Sequence, residues 1–353
     1  MNRSVLFLLA LWTACATARA APDHVDITWM SITNMHFSVG ERQIVADGYI
    51  TRLPQDLFYG GGGVDSTRRA MKSDVAAVRE VFDAIGGKSA VNLLLTGHSH
   101  FDHSFDTATW ARLSGAQVIG SPTTCLQVRA AKIPARRCRP VLGGEKIALG
   151  HGVDMYVIRW NHSGDPEKNP KQHNPFELSA VPVATPDGAL RAGVAEDFPN
   201  GGGNRAYLFT VAAPAGRFSW LFQDSASAVD LRAPIVIDGK NYGAPLDNLA
   251  AALKAAGLDS VDLWIATGGV DVANLVLPVL RPKAYLPVHW DGLYGAFKAG
   301  PPQAFSDPDL ARLLADSHIE FVIPTQYMDK WRLDHDGIHP VDNSAVMRAL
   351  GFD

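Results

Sequence analysis

Val91-Asn-Leu-Leu-Leu-Thr-Gly-His98-Ser-His100-Phe-Asp102-His103 joins a short apolar run to three imidazoles and a carboxylate within six positions. The apolar run reads as a buried strand. Side chains alternate along an extended chain, so His98 and His100 point the same way. If the chain then turns into a helix, Asp102 and His103 face a second point close by. The grouping suits two adjacent cations better than one, and imidazole with carboxylate favours zinc or another first-row metal over calcium or magnesium. A histidine tag would sit at a terminus and would not alternate with Ser, Phe and Asp.

Further ligands to such a site are expected where later strands stop, because strand ends carry sites in α/β folds. Three residues meet that expectation. His162 follows the apolar stretch Val153–Trp160, Asp224 follows Phe218–Phe222, and His289 follows Ala284–Val288. His36 and His151 rank below these, since neither directly follows a strand in that order. His24, His173, His318, His335 and His339 read as surface or loop histidines.

The order His98-x-His100-x-Asp102-His103, then His162, Asp224 and His289, resembles the metallo-β-lactamase superfamily over residues 25–330. Asp47, ending Gln43-Ile-Val-Ala-Asp47, matches that family's early aspartate. His162-Ser-Gly and Leu286-Pro-Val-His-Trp are further similar to the branch of ascorbate-phosphate lactonases and N-acyl-phosphatidylethanolamine phospholipase D. The resemblance implies a four-layer αββα sandwich of the α/β (α+β) class, with the site on one edge between two sheets. It implies a first metal held by His98, His100 and His162, and a second held by Asp102, His103 and His289. Asp224 would bridge them, and Asp47 would fix a ligand histidine by hydrogen bonding. Two divalent ions, most simply Zn2+ with Mn2+ or Fe as alternatives, would supply hydroxide at neutral pH and polarise the scissile group. Asp102 would orient that hydroxide as the catalytic residue.

The departures narrow the substrate. Asp224 stands where the B1 β-lactamases use a cysteine, and Ser104 stands where glyoxalase II has another histidine. From His162 to Asp224 is 62 residues, longer than in compact lactonases, and the irregular Pro- and Gly-rich segment 163–204 accounts for it. We expect that segment to cover the cleft as a lid. The expected activity is hydrolysis of an ester, lactone or phosphodiester. A β-lactam hydrolase and a non-catalytic metal-binding protein of the same fold are the alternatives. No Gly-x-Ser-x-Gly elbow suggests a serine nucleophile. Candidate walls lie in 51–66, 165–204 and 290–306, where Tyr59, Trp290 and Tyr294 are either wall aromatics or ordinary packing.

The rest of the 353 residues sets the context. Apolar residues at 47% and charged residues at 19% describe a globular chain with a sizeable core. Strands come first, then alternate with helices in both halves, which predicts two packed sheets with helices outside. Residues 1–20 have a basic start at Arg3, an apolar stretch Val5–Leu11 and an Ala18-Arg-Ala20 end, the layout of a cleaved secretory signal. A retained anchor is the bland alternative, and Trp12 weakens a lipoprotein reading of Cys15. Export to the periplasm or beyond is expected, with 21–353 as one hydrolase domain.

Removing Arg3 and Arg19 leaves 30 basic against 36 acidic residues, a net charge of −6 that offers nucleic acid no basic face. A small-molecule substrate is expected, with no nucleic-acid partner and no stable membrane anchor. Cys125 and Cys138 form a disulfide or remain two thiols; spacing alone does not decide.

Overall fold

A computed structural model describes residues 21–59 and 63–352. The expected signal over 1–20 and most of the Gly60–Gly63 run lie outside the described residues. Two sheets carry the fold. The first has eight strands in the order Gly337–Val341, Lys330–Asp334, Val25–Ser31, Asn34–Val39, Arg42–Ala46, Leu93–Leu95, Gln117–Gly120 and Cys138–Pro140. Pairing is antiparallel up to Arg42–Ala46 and parallel beyond it. The second has seven strands, Glu320–Phe321, Pro282–Pro287, Val261–Ala266, Arg217–Phe222, Asn204–Ala212, Val153–Trp160 and Lys146–Gly150.

Between the sheets lies one apolar core, in which Phe37 of the first sheet meets Phe209, Trp220 and Phe222 of the second. A second cluster packs the outer face of the second sheet against Pro245–Ala256, Gly269–Leu280 and Pro308–Asp316. Val75–Ala84 and Thr107–Ser114 bury their apolar faces against the first sheet's side of the core. Helix, sheet, sheet and helix therefore stack as the expected αββα sandwich. No helix among the described residues is long and apolar enough to cross a membrane.

Several expectations shift at their edges. The strand expected over Gln43–Tyr49 stops at Ala46, because Asp47 and Gly48 take positive φ of 59° and 85°. Asp74, rather than Ser73, caps the following helix by accepting from the Ala76 and Ala77 amides. The fold does not end near residue 330: a hairpin over 330–341 extends the first sheet beyond Val25–Ser31, and Ser344–Leu350 packs after it. Cys125 and Cys138 are joined, tying the helix Pro122–Ala130 to an edge strand.

Candidate metal centre

The strand Leu93–Leu95 delivers the motif to the sheet edge, and Phe101–Ser104 forms the short helix expected after it. Gly97 is required at the junction: a Cβ there would come within 2.0 Å of the Asp224 carboxylate. His162, Asp224 and His289 follow Val153–Trp160, Arg217–Phe222 and Pro282–Pro287 and converge on the same edge. Three triads result, each with ligand atoms within 4.8 Å of one another: His98–His100–His162, His98–His103–Asp224, and Asp102–His103–His289. All seven expected side chains are brought together. Six are buried, and the His289 side chain, 23% exposed, marks the opening.

Hydrogen bonds decide which nitrogens are free. His162 Nδ1 donates to the Ser163 carbonyl at 2.7 Å, and His98 Nδ1 donates to Asp224 Oδ2 at 3.0 Å. Carbonyl and carboxylate oxygens accept, so both Nδ1 atoms carry the ring proton. Both Nε2 atoms then present lone pairs, yet they lie only 3.1 Å apart. Burial first, then neighbouring imidazoles, hold both pKa values well below the usual range, which keeps a shared proton off this pair. Two facing lone pairs call for a cation. His100 Nε2 and Asp224 Oδ1 are also buried without a hydrogen-bond partner. The donor set of imidazole and carboxylate fits a first-row divalent metal.

The second triad half is held differently. Asp102 Oδ2 lies 3.2 Å from both His103 Nε2 and His289 Nε2. Burial works to raise the Asp102 pKa, but His103 and His289 outweigh it and keep the carboxyl ionised. His103 Nδ1 lies 2.9 Å from Asp47 Oδ2 and 3.2 Å from Asp224 Oδ2. Burial disfavours the His103 cation, yet Asp102, Asp47 and Asp224 together raise its pKa well above the ordinary value. The pocket thus concentrates negative charge where positive charge is wanted. Asp47 itself is pushed up to about 6 by burial and by Asp224, and it also accepts from the Thr33 hydroxyl (2.6 Å) and the Gly97 amide (3.1 Å).

Asp224 sits on the Nδ1 side of His98 and His103, whereas the Nε2 atoms meet His162 and Asp102. Its Oδ2 fixes two histidine tautomers, and Oδ1 is the atom left for a cation. Behind His289, the backbone takes a φ of 67° and its amide donates to the Ile32 carbonyl at 3.0 Å. Asp291 returns the contact, accepting from the Ile32 amide at 3.0 Å and from the Tyr327 hydroxyl at 2.7 Å.

Of the competing histidines, His36 bonds the Ala90 carbonyl and His151 pairs with Glu41, both away from the site. His173 corrects the surface expectation. It is buried, its Nε2 lies 2.8 Å from Asp230 Oδ2, and its Nδ1 is 3.3 Å from the Ser163 carbonyl that also holds His162. Trp290 stacks on Trp29 as packing, while Tyr294 leans on Phe58 and Phe101 beside the site. Burial and the Asp102 charge push the Tyr294 pKa up to about 12. Tyr59 is exposed beneath Arg68.

Segment 163–204 is anchored from inside the motif. Ser99 Oγ donates to the Pro199 carbonyl and accepts from the Gly201 amide, and the Gln127 amide bridges the Ser99 and Asp197 carbonyls. Ser99 and Gln127 escaped the sequence reading; the only signal for Ser99 was its place between two ligand-type histidines.

No protein-family model matches the chain. A UPF0173 metal-dependent hydrolase of Pyrobaculum arsenaticum is 31% identical over 115 residues, 33% of this chain and 45% of that relative. The chain spans less than half the length of the curated relatives it matches. Among solved structures, the metallo hydrolase Igni18 of Ignicoccus hospitalis shares the fold at a TM-score of 0.50 and 12% identity, covering 88% of this chain and 99% of its own. The metallo-β-lactamase fold protein YhfI of Bacillus subtilis gives a TM-score of 0.47 at 8% identity, covering 88% and 99%.

Proposed function

Because the chain belongs to the metallo-β-lactamase superfamily, we propose that it is a metal-dependent hydrolase acting on an ester, lactone or phosphodiester bond of a small molecule. The observation that carries this reading is the facing pair of His98 and His162 Nε2 lone pairs inside a seven-residue cage. His98, His100 and His162 would hold one divalent ion and Asp102, His103 and His289 another, with Asp224 Oδ1 reaching either; zinc suits the donors best. Such ions, when bound, acidify water to near neutrality and act as Lewis acids.

The chain's own groups do the rest. Asp102, kept ionised, accepts a hydrogen bond from the attacking water and orients it. Asp224, Asp47 and the Ser163 carbonyl hold the imidazole rings in their productive tautomers. Tyr294, protonated at neutral pH and half-buried beside Asp102, offers a hydroxyl to substrate at the mouth. Segment 163–204 walls one side of the site and keeps bulk water out of it. We also place the protein outside the cytoplasm; the Cys125–Cys138 bond, of a kind that persists in oxidising compartments, supports this.

The test is metal analysis of purified protein followed by turnover assays on ester, lactone, phosphodiester and β-lactam panels. The expected result is metal-dependent turnover in one of the first three panels, abolished in His98→Ala and Asp224→Ala. Preferential turnover of a penicillin or carbapenem would replace this reading with a β-lactam hydrolase. Bound ions without turnover on any panel would replace it with a metal-binding scaffold.

A further inference from the structure

A cavity of about 230 Å3 lies beside His162, between the start of segment 163–204 and the hairpin that carries Val236. Two of its lining side chains, Trp160 and Asn200, are fully buried. Each has a polar atom without a hydrogen-bond partner, the indole Nε1 and the amide Oδ1. Leaving a buried donor and a buried acceptor unpaired is unfavourable, and native interiors seldom do it.

The other polar groups of this wall are already engaged. His173 Nε2 and Asp230 Oδ2 lie 2.8 Å apart, Asp230 Oδ1 accepts from the Asn161 amide at 2.6 Å, and Asn200 Nδ2 donates to the His173 carbonyl at 2.9 Å. His173 and Asp230 face each other, so their charges are balanced within the wall and nothing there selects an ion. The remaining surface, from Pro175, Pro234, Ile235 and Val236, is apolar. A fitting occupant is therefore small and uncharged, with one acceptor for the indole N–H and one donor for the Asn200 oxygen.

We propose that this cavity is a subsite for an uncharged hydrogen-bonding arm of the substrate, a secondary amide or hydroxyl, seated next to His162. It rests on the hydrolase reading for its role in turnover, but its occupancy is independent of metal and of chemistry.

The probe is N-methylacetamide, titrated into the 15N-labelled full chain while the indole N–H resonances are followed. Trp160→Phe identifies the Trp160 resonance by its absence. The expected result is a saturable shift of that resonance, about tenfold weaker binding of N,N-dimethylacetamide, which lacks the donor, and loss of the shift in Val236→Trp. Val236 is 54% exposed at the rim, so this variant blocks the cavity without entering the core; an unchanged thermal transition confirms that it is folded. An unmoved resonance, equal binding of the two amides, or an unaltered shift in folded Val236→Trp would overturn the subsite. Failure of every substrate panel beside a saturable shift would instead remove the hydrolase and leave the amide site standing.

Discussion

The hydroxyl of Ser99 lies 2.6 Å from the carbonyl oxygen of Pro199, one hundred positions along the chain, and accepts from the Gly201 amide at 2.7 Å. Through this one side chain the histidine motif and the far end of segment 163–204 hold each other. Ser99→Ala leaves a buried amide and a buried carbonyl unpaired, which should cost about 1–3 kcal/mol. Hydrogen exchange checks this: amides from 199 to 203 should exchange faster while the sheets remain protected. Unchanged exchange there would show that the contact anchors nothing.

Gly97→Ala should be more damaging than its size suggests. The added methyl would come within 2.0 Å of the Asp224 carboxylate, so Asp224 must leave the Nδ1 atoms of His98 and His103. We expect folded protein with bound metal reduced at least tenfold, read by metal analysis after dialysis. Full metal content would contradict the placement of Asp224.

Chelation should destabilise the fold as well as silence it. The His98 and His162 Nε2 lone pairs and the unpartnered His100 Nε2 are buried together, so an ion that binds only the folded state adds stability by mass action. At a free ion concentration about 100-fold above Kd the contribution is about 2.7 kcal/mol. A thermal scan should show a lower Tm with chelator and recovery on adding zinc; identical transitions would argue against a metal centre.

The seven side chains at the site were legible in the sequence because each ends a strongly apolar strand, and strand ends in such a fold lie at one edge. What those side chains do to one another was not. Asp224 meets the Nδ1 atoms because Gly97 lets it lie close against the motif, a matter of packing rather than spacing. His173 looked exposed in a polar, proline-rich stretch, and its burial depends on Asp230, which is 57 positions away. The hairpin over 330–341 went unread because Lys330–Asp334 alternates buried Trp331 and Leu333 with partly exposed charged neighbours, the weak pattern of a strand near a sheet edge. The Cys125–Cys138 pairing needed the helix and the edge strand to be side by side before distance could choose it.

His36 should make stability depend on pH away from the site. Burial holds its pKa down to about 4, against a value near 6.5 in the unfolded chain, while the Ala90 carbonyl opposes this only in part. The unfolded chain therefore takes up the proton first, and stability should fall as pH drops from about 6.5 to about 4, then level off. The loss is on the order of 3 kcal/mol. Denaturant titrations of the wild type and His36→Gln should differ in slope across that window, and parallel curves would rule His36 out.

Breaking the disulfide should cost stability without touching the metal-binding residues. Cys125 and Cys138 close a loop of 13 residues, for which chain entropy gives about 3 kcal/mol. The double variant Cys125→Ser with Cys138→Ser should unfold at lower denaturant yet keep its bound metal. Equal midpoints would show that the link adds nothing to the native state.

His289 hangs from the first strand of the chain, through its own amide on Ile32 and through Asp291 returning to the same residue. A ribosome making this protein therefore finishes the His98–His100–His162 cradle long before the last imidazole emerges, and the second cradle must wait until the two ends of the domain dock. Ion capture during synthesis is in this way ordered by chain position, one seat early and one late.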